Sequence, residues 1–554
     1  MRDRNLRRRT LLRLTGASAA TAGITTLAGC IGDDDDDTDD TDDADDTDPA
    51  DDADEITITL SQFPDVIDPL DHITGDYFDV YNHIYEPIFD FQPGEGVFPR
   101  VVEDWEPAGD GVMELQLRDD VVFHNGDEMT AEDVAWTITR TNDPTIGVAS
   151  PIGTWGLGSI GVPTEDPDDS SFEVVAEATG DYTLEVYHQK AFGMAEFEIG
   201  VYGRAMNRDW SIDNYDAENE AIAGADPEDF NGTGPYEVVD FISGEEIVLE
   251  AFDDYWGPEP PFERVTFNAD GESSGRAAAL ETGEADITIN ILPEDVTTIQ
   301  QADGVDIRNV TSLRSIFLPM KNSVEPYDSL EFRQAMNYAV DNQEIVDTVL
   351  SGFGEARGQP VSPGVNGFNP DIEPYAQDLD MAESLVEESG YGGISIELTV
   401  PQGRYLRDAD VGETAADMID SLPNVDCDVN IVDFPVVSDA NQAGMDPDDI
   451  EHPFYMIGWG VVTGDTDYGV QGFFTIPDNP NRTFTDEDLS DAILESQEIE
   501  DPDERTQKLQ EVNQMVHEKA PWVFLHAQES IYGANSQIQW TPRTDETIHI
   551  WDME

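Results

Sequence analysis

Residues 381–400 read MAESLVEESGYGGISIELTV, and the architecture turns on the change of period inside them. Met381–Ser389 reads as a helix, and Gly390 ends it because glycine accepts the left-handed conformation of a C-cap. Ile394–Val400 then reads as a strand. Working outward, the segment after Leu330 keeps Phe332, Ala335, Met336, Ala339 and Val340 on one helical face. Tyr236–Phe241 and Glu246–Phe252 read as a hairpin around Ser243-Gly244. Met113, Leu115 and Leu117 alternate with Glu114, Gln116 and Arg118, a half-buried strand leading to an Asn125-Gly126 turn. Thr130 is expected to cap a helix whose early acids, Glu132 and Asp133, suit the positive end of its dipole. Ile56–Leu60 alternates as a further strand. Strands separated by helices in this manner define an α/β fold.

At 554 residues the chain is long enough for two to four domains, and 39% hydrophobic residues suffice for real cores. The charge balance is extreme, with 26 Lys+Arg against 121 Asp+Glu and a formal net charge of −95. Residues 33–55 hold sixteen acids, yet 104 acids against 20 bases remain from residue 56 onward, so the globular part is itself acidic. Only Lys190, Lys321, Lys508 and Lys519 are lysines. Self-repulsion on this scale opposes compaction in dilute buffer but is screened to a length of roughly 3 Å at molar salt. The composition resembles that of proteins from salt-loving archaea, an adaptation to brine; a surface made for a basic partner is the other reading. Nucleic acid is excluded as a partner, since no basic stripe exists to displace phosphate counterions.

Arg8-Arg9-Thr10-Leu11-Leu12 is a twin-arginine pair followed by apolar residues, and an uncharged stretch ends in Leu27-Ala28-Gly29-Cys30. A positive n-region, a short apolar h-region and small residues at a peptidase site look like a Tat-exported lipoprotein signal over residues 1–30. Cys30 is then the lipidated N-terminus, tethered to the extracellular face of the cell membrane. Residues 31–55 are almost purely Asp, Thr, Ala and Pro, which cannot bury apolar surface and reads as a disordered acidic tether. The run lacks the spaced ligands and turn glycine of a calcium loop. Cys427 is the one other cysteine, so no disulfide forms once Cys30 is lipidated; it reads as a small core residue.

A series of segments then carries a family resemblance. Trp105-Glu106, Leu115–Arg118, Phe123-His124-Asn125-Gly126 and Thr130–Val134 form one block. Asn231-Gly232-Thr233-Gly234-Pro235-Tyr236 forms another, with Tyr255-Trp256-Gly257 after it. Gly283–Ile287, Phe332–Ala335 with Tyr338–Asp341, and Ala382–Gly390 with Tyr391 follow in order. Together they resemble the family 5 extracellular solute-binding proteins over roughly residues 56–530. The resemblance implies a two-lobed periplasmic-binding-protein-like fold of type II with an extra inserted α/β domain. Lobe I is expected from residues 56–90, 231–312 and 521–554, the inserted domain from 91–230, and lobe II from 313–520. It implies a monomeric substrate-binding component of an ABC importer, without cofactor, metal or enzymatic activity. The protein would take a small organic solute, above all a di- or oligopeptide, between closing lobes and deliver it to membrane permease subunits. An oligosaccharide or a metal chelate on the same fold, or a solute sensor without transport, are the alternatives.

The candidate site is the stretch Gly458-Trp459-Gly460 through Gly464-Asp465-Thr466-Asp467-Tyr468. Phe454–Ile457 reads as a strand, and α/β folds place ligands beyond strand ends. In peptide-binding members of the family this position carries an aspartate that pairs with the peptide α-ammonium. By motif Asp465 matches it, with Asp467 in reserve, and Trp459 and Tyr468 are expected to line the cleft. The family's proline after the acid is replaced here by Tyr468-Gly469.

Two motifs point elsewhere. Gly271-Glu272-Ser273-Ser274-Gly275 matches a nucleophile elbow, for which His517 or His526 would have to serve as base. Within the family-like series it is simply a loop joining a strand to the helix Arg276–Glu281. Gly156-Leu157-Gly158-Ser159-Ile160-Gly161 has dinucleotide-fingerprint spacing, but Val162-Pro163 follows where a helix should begin. Asn231, Asn309 and Asn481 sit in N-x-T sequons. The eight histidines show no metal-binding spacing.

Overall fold

The computed structural model describes residues 55–63, 68–69, 75–109, 111–142, 160–163, 172–188, 192–216, 221–222, 227–475, 481–499 and 501–554. The export leader with Cys30, the acidic run before Glu55, and residues 156–159 of the glycine loop lie outside the described residues.

In chain order the strands used below are β1 (Glu55–Leu60), β2 (Phe89–Gln92), β3 (Gly96–Pro99), β4 (Val102–Gly109), β5 (Val112–Leu117), β6 (Ala176–Ala178) and β7 (Thr183–Tyr187). They continue with β8 (Tyr236–Ile242), β9 (Glu246–Ala251), β10 (Arg264–Ala269), β11 (Ile287–Thr288), β12 (Val305–Pro319) and β13 (Gly354–Ala356). The last are β14 (Ile394–Pro401), β15 (Val425–Val432), β16 (Ile457–Gly460) and β17 (Trp522–Asn535). The helices are α1 (Gly75–Ile84), α2 (Ala131–Asn142), α3 (Phe192–Tyr202), α4 (Ser273–Thr282), α5 (Leu330–Ala339) and α6 (Leu379–Ser389). After them come α7 (Asp408–Asp420), α8 (Phe434–Gln442), α9 (Thr466–Phe474), α10 (Glu487–Gln497) and α11 (Pro502–Lys519).

One mixed sheet organises the molecule, in the order β8-β9-β10-β1-β11-β17-β12-β16 with β13 added on β17. Strand β1 runs parallel to β10 and β11, and β12 and β17 pair antiparallel over most of their length. The β1 end of the sheet carries a core of Ile58, Leu60, Tyr81, Tyr236, Leu249, Phe267 and Tyr532. At the other end side-chain alternation splits the sheet into two faces. Ile316, Leu318, Val523 and Leu525 join the α5 residues Phe332, Ala335 and Met336 on one side. Phe317, Trp522 and Phe524 point to the other, where Phe317 stacks on Trp522 with ring centroids 3.9 Å apart. A separate sheet, β4-β5-β7-β6, packs on α2, and its Met113, Leu115 and Leu117 join a core that reaches Val361, Val461 and Tyr468.

Local chemistry explains the elements. Ser329 caps α5 by accepting from the Phe332 N–H, and Gly390 ends α6 at φ 82°. The strand at residue 56, the β5 alternation, the β8–β9 hairpin and α5 stand where the sequence puts them. The start of α2 differs in detail. Thr130 does not accept a capping bond; its N–H and hydroxyl both donate to Asp133 Oδ2, at 2.9 and 2.8 Å. The Asn-Gly-Thr-Gly-Pro-Tyr turn lies on the C-terminal carbonyls of α1. A Cβ on Gly232 would sit 1.9 Å from the Ile84 oxygen, and one on Gly234 2.3 Å from the His83 oxygen, so only glycine fits. Of the three sequon asparagines, Asn231 and Asn481 are buried and only Asn309 is exposed. Cys427 is buried, and desolvation pushes its thiol up to about 12, as a core residue requires.

Candidate functional site

A cavity of about 460 Å³ is walled by segments distant in sequence: α1, β2, the end of α3, the loop before α7, α8, β16, the start of α9 and residues 543–549. Its apolar wall is aromatic. Trp459 on β16 lies 5.8 Å from the Tyr468 ring and 4.9 Å from Phe473, centroid to centroid. The strand bearing Trp459 is Ile457–Gly460, three residues later than the run Phe454–Ile457 read from hydrophobicity. Pairing with Arg314–Phe317 of β12 sets this register. Gly458 allows it, because a Cβ there would meet Ile316 Cδ1 at 2.6 Å and the Tyr405 ring at 2.8 Å.

Tyr468 at the start of α9 meets Tyr202 at the end of α3, with 2.5 Å between their hydroxyl oxygens. Burial pushes the Tyr468 phenol up to about 12 and raises Tyr202 further, so both stay protonated and one donates to the other. This bond ties residues on two different elements across the cavity.

The two acids expected at the ligand are not on the cavity wall. Asp465, 3% exposed, pairs bidentately with Arg505, one arm being Nη2 to Oδ1 at 2.9 Å. It also accepts from Asn366 Nδ2 at 2.9 Å and caps α9 through the Asp467 N–H at 2.9 Å. Asp467 is fully buried and accepts from Gln497 Nε2 at 2.5 Å. The carboxylate of Asp465, read for a ligand ammonium, is here paired with an arginine 40 residues away, which a linear motif does not reveal. Trp459 and Tyr468, by contrast, do line the cavity.

The charged wall was not anticipated. Arg204, Arg314, Arg404 and Arg543 line the cavity against Asp90 and Asp545. Arg543 holds Asp545 at 2.7 Å, and Asp545 also accepts from the Thr547 hydroxyl at 2.8 Å. Arg314 is held at 2.6 Å by Glu546, which also accepts from Gln528 and Ser530 at 2.9 Å each. Burial alone would raise the Glu546 carboxyl, but Arg314 and these hydrogen bonds outweigh it and hold it at about 2. His549 is kept neutral, first by burial and then by Arg543 beside it. Asp90 accepts from Gln92 at 3.2 Å and keeps the rest of its acceptor capacity. The signal for this wall was rarity: only sixteen arginines follow residue 55, and four of them line this one cavity.

The enzyme-like loop runs straight into a helix. Ser273 opens α4 and its hydroxyl donates to Asp295 at 3.4 Å, while His517 engages the Gly358 carbonyl and His526 is buried in β17. Among the described residues no group of three or more His, Cys, Asp or Glu side chains is arranged to hold a metal ion.

Two lobes sharing a mixed sheet, an inserted α/β body and an aromatic, charged cavity walled by remote segments are the architecture of the type II periplasmic binding proteins. The profile of the bacterial extracellular solute-binding proteins, family 5 (middle part), matches residues 96–481, and the chain belongs to that family. It is 24% identical over 485 residues to the dipeptide-binding protein of Escherichia coli, covering 83% of this chain and 86% of that one. It is 22% identical over 461 residues to heme-binding protein A of Haemophilus influenzae, covering 79% and 81%. Among solved structures it is similar to the ABC transporter-associated periplasmic binding protein DppA from Helicobacter pylori in complex with the peptide STSA. The TM-score is 0.77 at 20% identity, over 90% of this chain and 97% of that one.

Proposed function

We propose that this protein is the substrate-binding component of an ABC importer. It captures a small organic solute, a di- or oligopeptide in the leading reading, and delivers it to membrane permease subunits without turning it over. The observation that carries this is the cavity itself, which combines the Trp459–Tyr468 aromatic wall with several charged side chains and has the volume of a small-molecule site. A cavity walled by elements of separate cores closes and opens when the cores move. The long pair β12 and β17, whose ladder is interrupted between Thr311 and Ser315, joins them and is the natural hinge. On this reading lobe I comprises residues 56–90, 231–312 and 521–554, the inserted domain 91–230, and lobe II 313–520. Trp459 and Tyr468 contact the solute, and Asp90 is the wall acid with acceptor capacity left for a ligand ammonium. The two relatives named for their ligands take a dipeptide and heme, and the DppA complex holds a tetrapeptide, which supports an organic solute.

The leader motif supports export and lipidation at Cys30, with the acidic run holding a monomeric body off the extracellular face of the membrane. The acidic composition supports a protein that works in brine. A thermal-shift screen of dipeptides, oligosaccharides and metal chelates in molar salt tests the binding role. A true ligand at 100 times its Kd should stabilise the protein by about 2.7 kcal/mol. If no compound in any of the three classes stabilises it, the binding role is wrong.

A further inference from the structure

The cavity wall holds a buried cation that no carboxylate among the described residues answers. Arg204 follows α3 and is 3% exposed. Its Nη1 donates to the neighbouring Gly203 carbonyl at 3.0 Å, and its guanidinium carbon lies 5.4 Å from the Phe78 ring centre. Its Nε is buried without a partner, and among the described residues no carboxylate lies within ion-pair distance. Of the other buried arginines, Arg333 is satisfied by three hydrogen bonds to backbone carbonyls, and several more are met by carboxylates. Arg140 has Asp68, Arg505 has Asp465, and the cavity's own Arg314 and Arg543 have Glu546 and Asp545. A buried cation lacking its counter-charge is costly, and an anionic ligand group at this edge would offset that cost. Desolvation draws the Arg204 guanidinium down to about 9, still protonated at neutral pH.

A second unmatched cation reinforces the first. Arg404 also lines the cavity and, among the described residues, has no carboxylate partner, lying over the Tyr405 and Phe434 rings at 5.5 and 5.4 Å with its Nε unbonded. Once the two internal ion pairs are set aside, the wall offers Arg204 and Arg404 against Asp90 alone. The cavity is locally positive inside a chain of net charge −95.

We propose that the solute is an organic anion, and that Arg204 selects it by seating an anionic group, a carboxylate above all, against its uncommitted Nε and Nη2 edge. This rests on the reading of the cavity as the solute site. It goes further by naming the ligand's charge and the residue that reads it.

The test compares matched probes that differ by one carboxylate charge, N-acetylalanine against N-acetylalaninamide and butyrate against butyramide. Titration calorimetry is run on the purified chain at constant ionic strength. The wild type should prefer the charged member of each pair at least about tenfold, the worth of one charge-assisted hydrogen bond in a dry site. Arg204→Gln should level each pair while leaving the neutral probes unchanged, and Arg204→Lys should keep part of the preference. A ligand-free measurement runs beside it. Since the charge is unpaired without solute, Arg204→Met should raise the Tm of the unliganded protein, whereas a structural arginine would lower it when removed. Equal binding within pairs, a preference surviving Arg204→Gln, or a lowered Tm in Arg204→Met overturns the proposal. Stabilisation by inorganic sulfate alone, equal to that by the charged probes, overturns the organic part of it. Equal binding of charged and neutral probes leaves the solute-binding reading standing. Binding of nothing at all removes that reading too, and the sign of the Tm shift then decides whether Arg204 awaits an anion.

Discussion

Replacing Asp465 by Asn separates two roles that the sequence motif alone would merge. In the structure Asp465 and Arg505 are both nearly buried, with side chains 5% and 10% exposed, and their contact is bidentate. Asn keeps an oxygen for the Asp467 N–H that caps α9, so the cap survives and the perturbation falls on the ion pair. Breaking one side of such a pair leaves a guanidinium without its counter-charge, a loss of about 3–5 kcal/mol. Asp465→Ala removes the cap as well and should lose about 1 kcal/mol more. Adding Arg505→Met to Asp465→Asn should return part of the loss, because the stranded charge disappears with its side chain. Urea unfolding in the salt that supports the wild-type fold measures these differences, with the solute present in saturating and zero amounts. Since neither carboxylate oxygen reaches the cavity, solute affinity should change by less than about threefold wherever the variant is folded. An Asp465→Asn protein with wild-type stability and affinity lowered a hundredfold would refute this reasoning and return Asp465 to the ligand.

The Tyr202–Tyr468 pair gives a second test. Either Phe variant strands a buried hydroxyl and should cost about 1–3 kcal/mol, while the double variant should cost less than the sum, which a double-mutant cycle in urea measures. Glu546 gives a pH dependence of definite sign. Its carboxyl is held at about 2 against an ordinary 4.5, so the stability it contributes is full above pH 4.5 and is lost as pH falls toward 2. That loss amounts to about 3 kcal/mol, and Glu546→Gln should flatten the acid limb of urea midpoints taken between pH 6 and pH 2.5. Cys427, with its thiol pushed up to about 12, should resist alkylation at pH 8 in the folded protein and react once urea unfolds it, as mass spectrometry will record.

What was legible in the sequence was what local physics dictates. The α5 face, the β5 alternation and the Gly390 stop depend on residues within one or two turns, and all are found. The glycines of the turn at Asn231 stood out as a pattern, but their cause, the carbonyls of α1 about 150 residues earlier, was not visible. The site was legible only on its aromatic side. Trp459 and Tyr468 stand beside glycines that aim them, whereas the fate of Asp465 depends on Arg505, and that of Arg204 on the carboxylates that fail to reach it. An absence of partners is a property of the whole fold and leaves no trace in spacing. The edge of β16 was misread for the same reason, since β12 rather than hydrophobicity sets it.

A positive cavity inside so acidic a body poses a problem of access, and the answer carries its own prediction. At low ionic strength an anion approaching a chain of net charge −95 is repelled long before it meets Arg204. At about 1 M salt the Debye length is roughly 3 Å, so the long-range repulsion is gone. The buried arginines are screened far less, because the contact they make is short and excludes the screening ions. Salt therefore removes the barrier to entry while leaving most of the contact. Stopped-flow association of an acidic probe such as Ala-Glu, followed by tryptophan fluorescence, should speed up severalfold between about 0.3 and 3 M salt, while dissociation changes little. This is opposite in sign to attractive steering, in which salt slows association. An association rate that falls with salt under conditions where the fold is intact would mean that the solute arrives as a cation, and the arginine wall would then need another purpose.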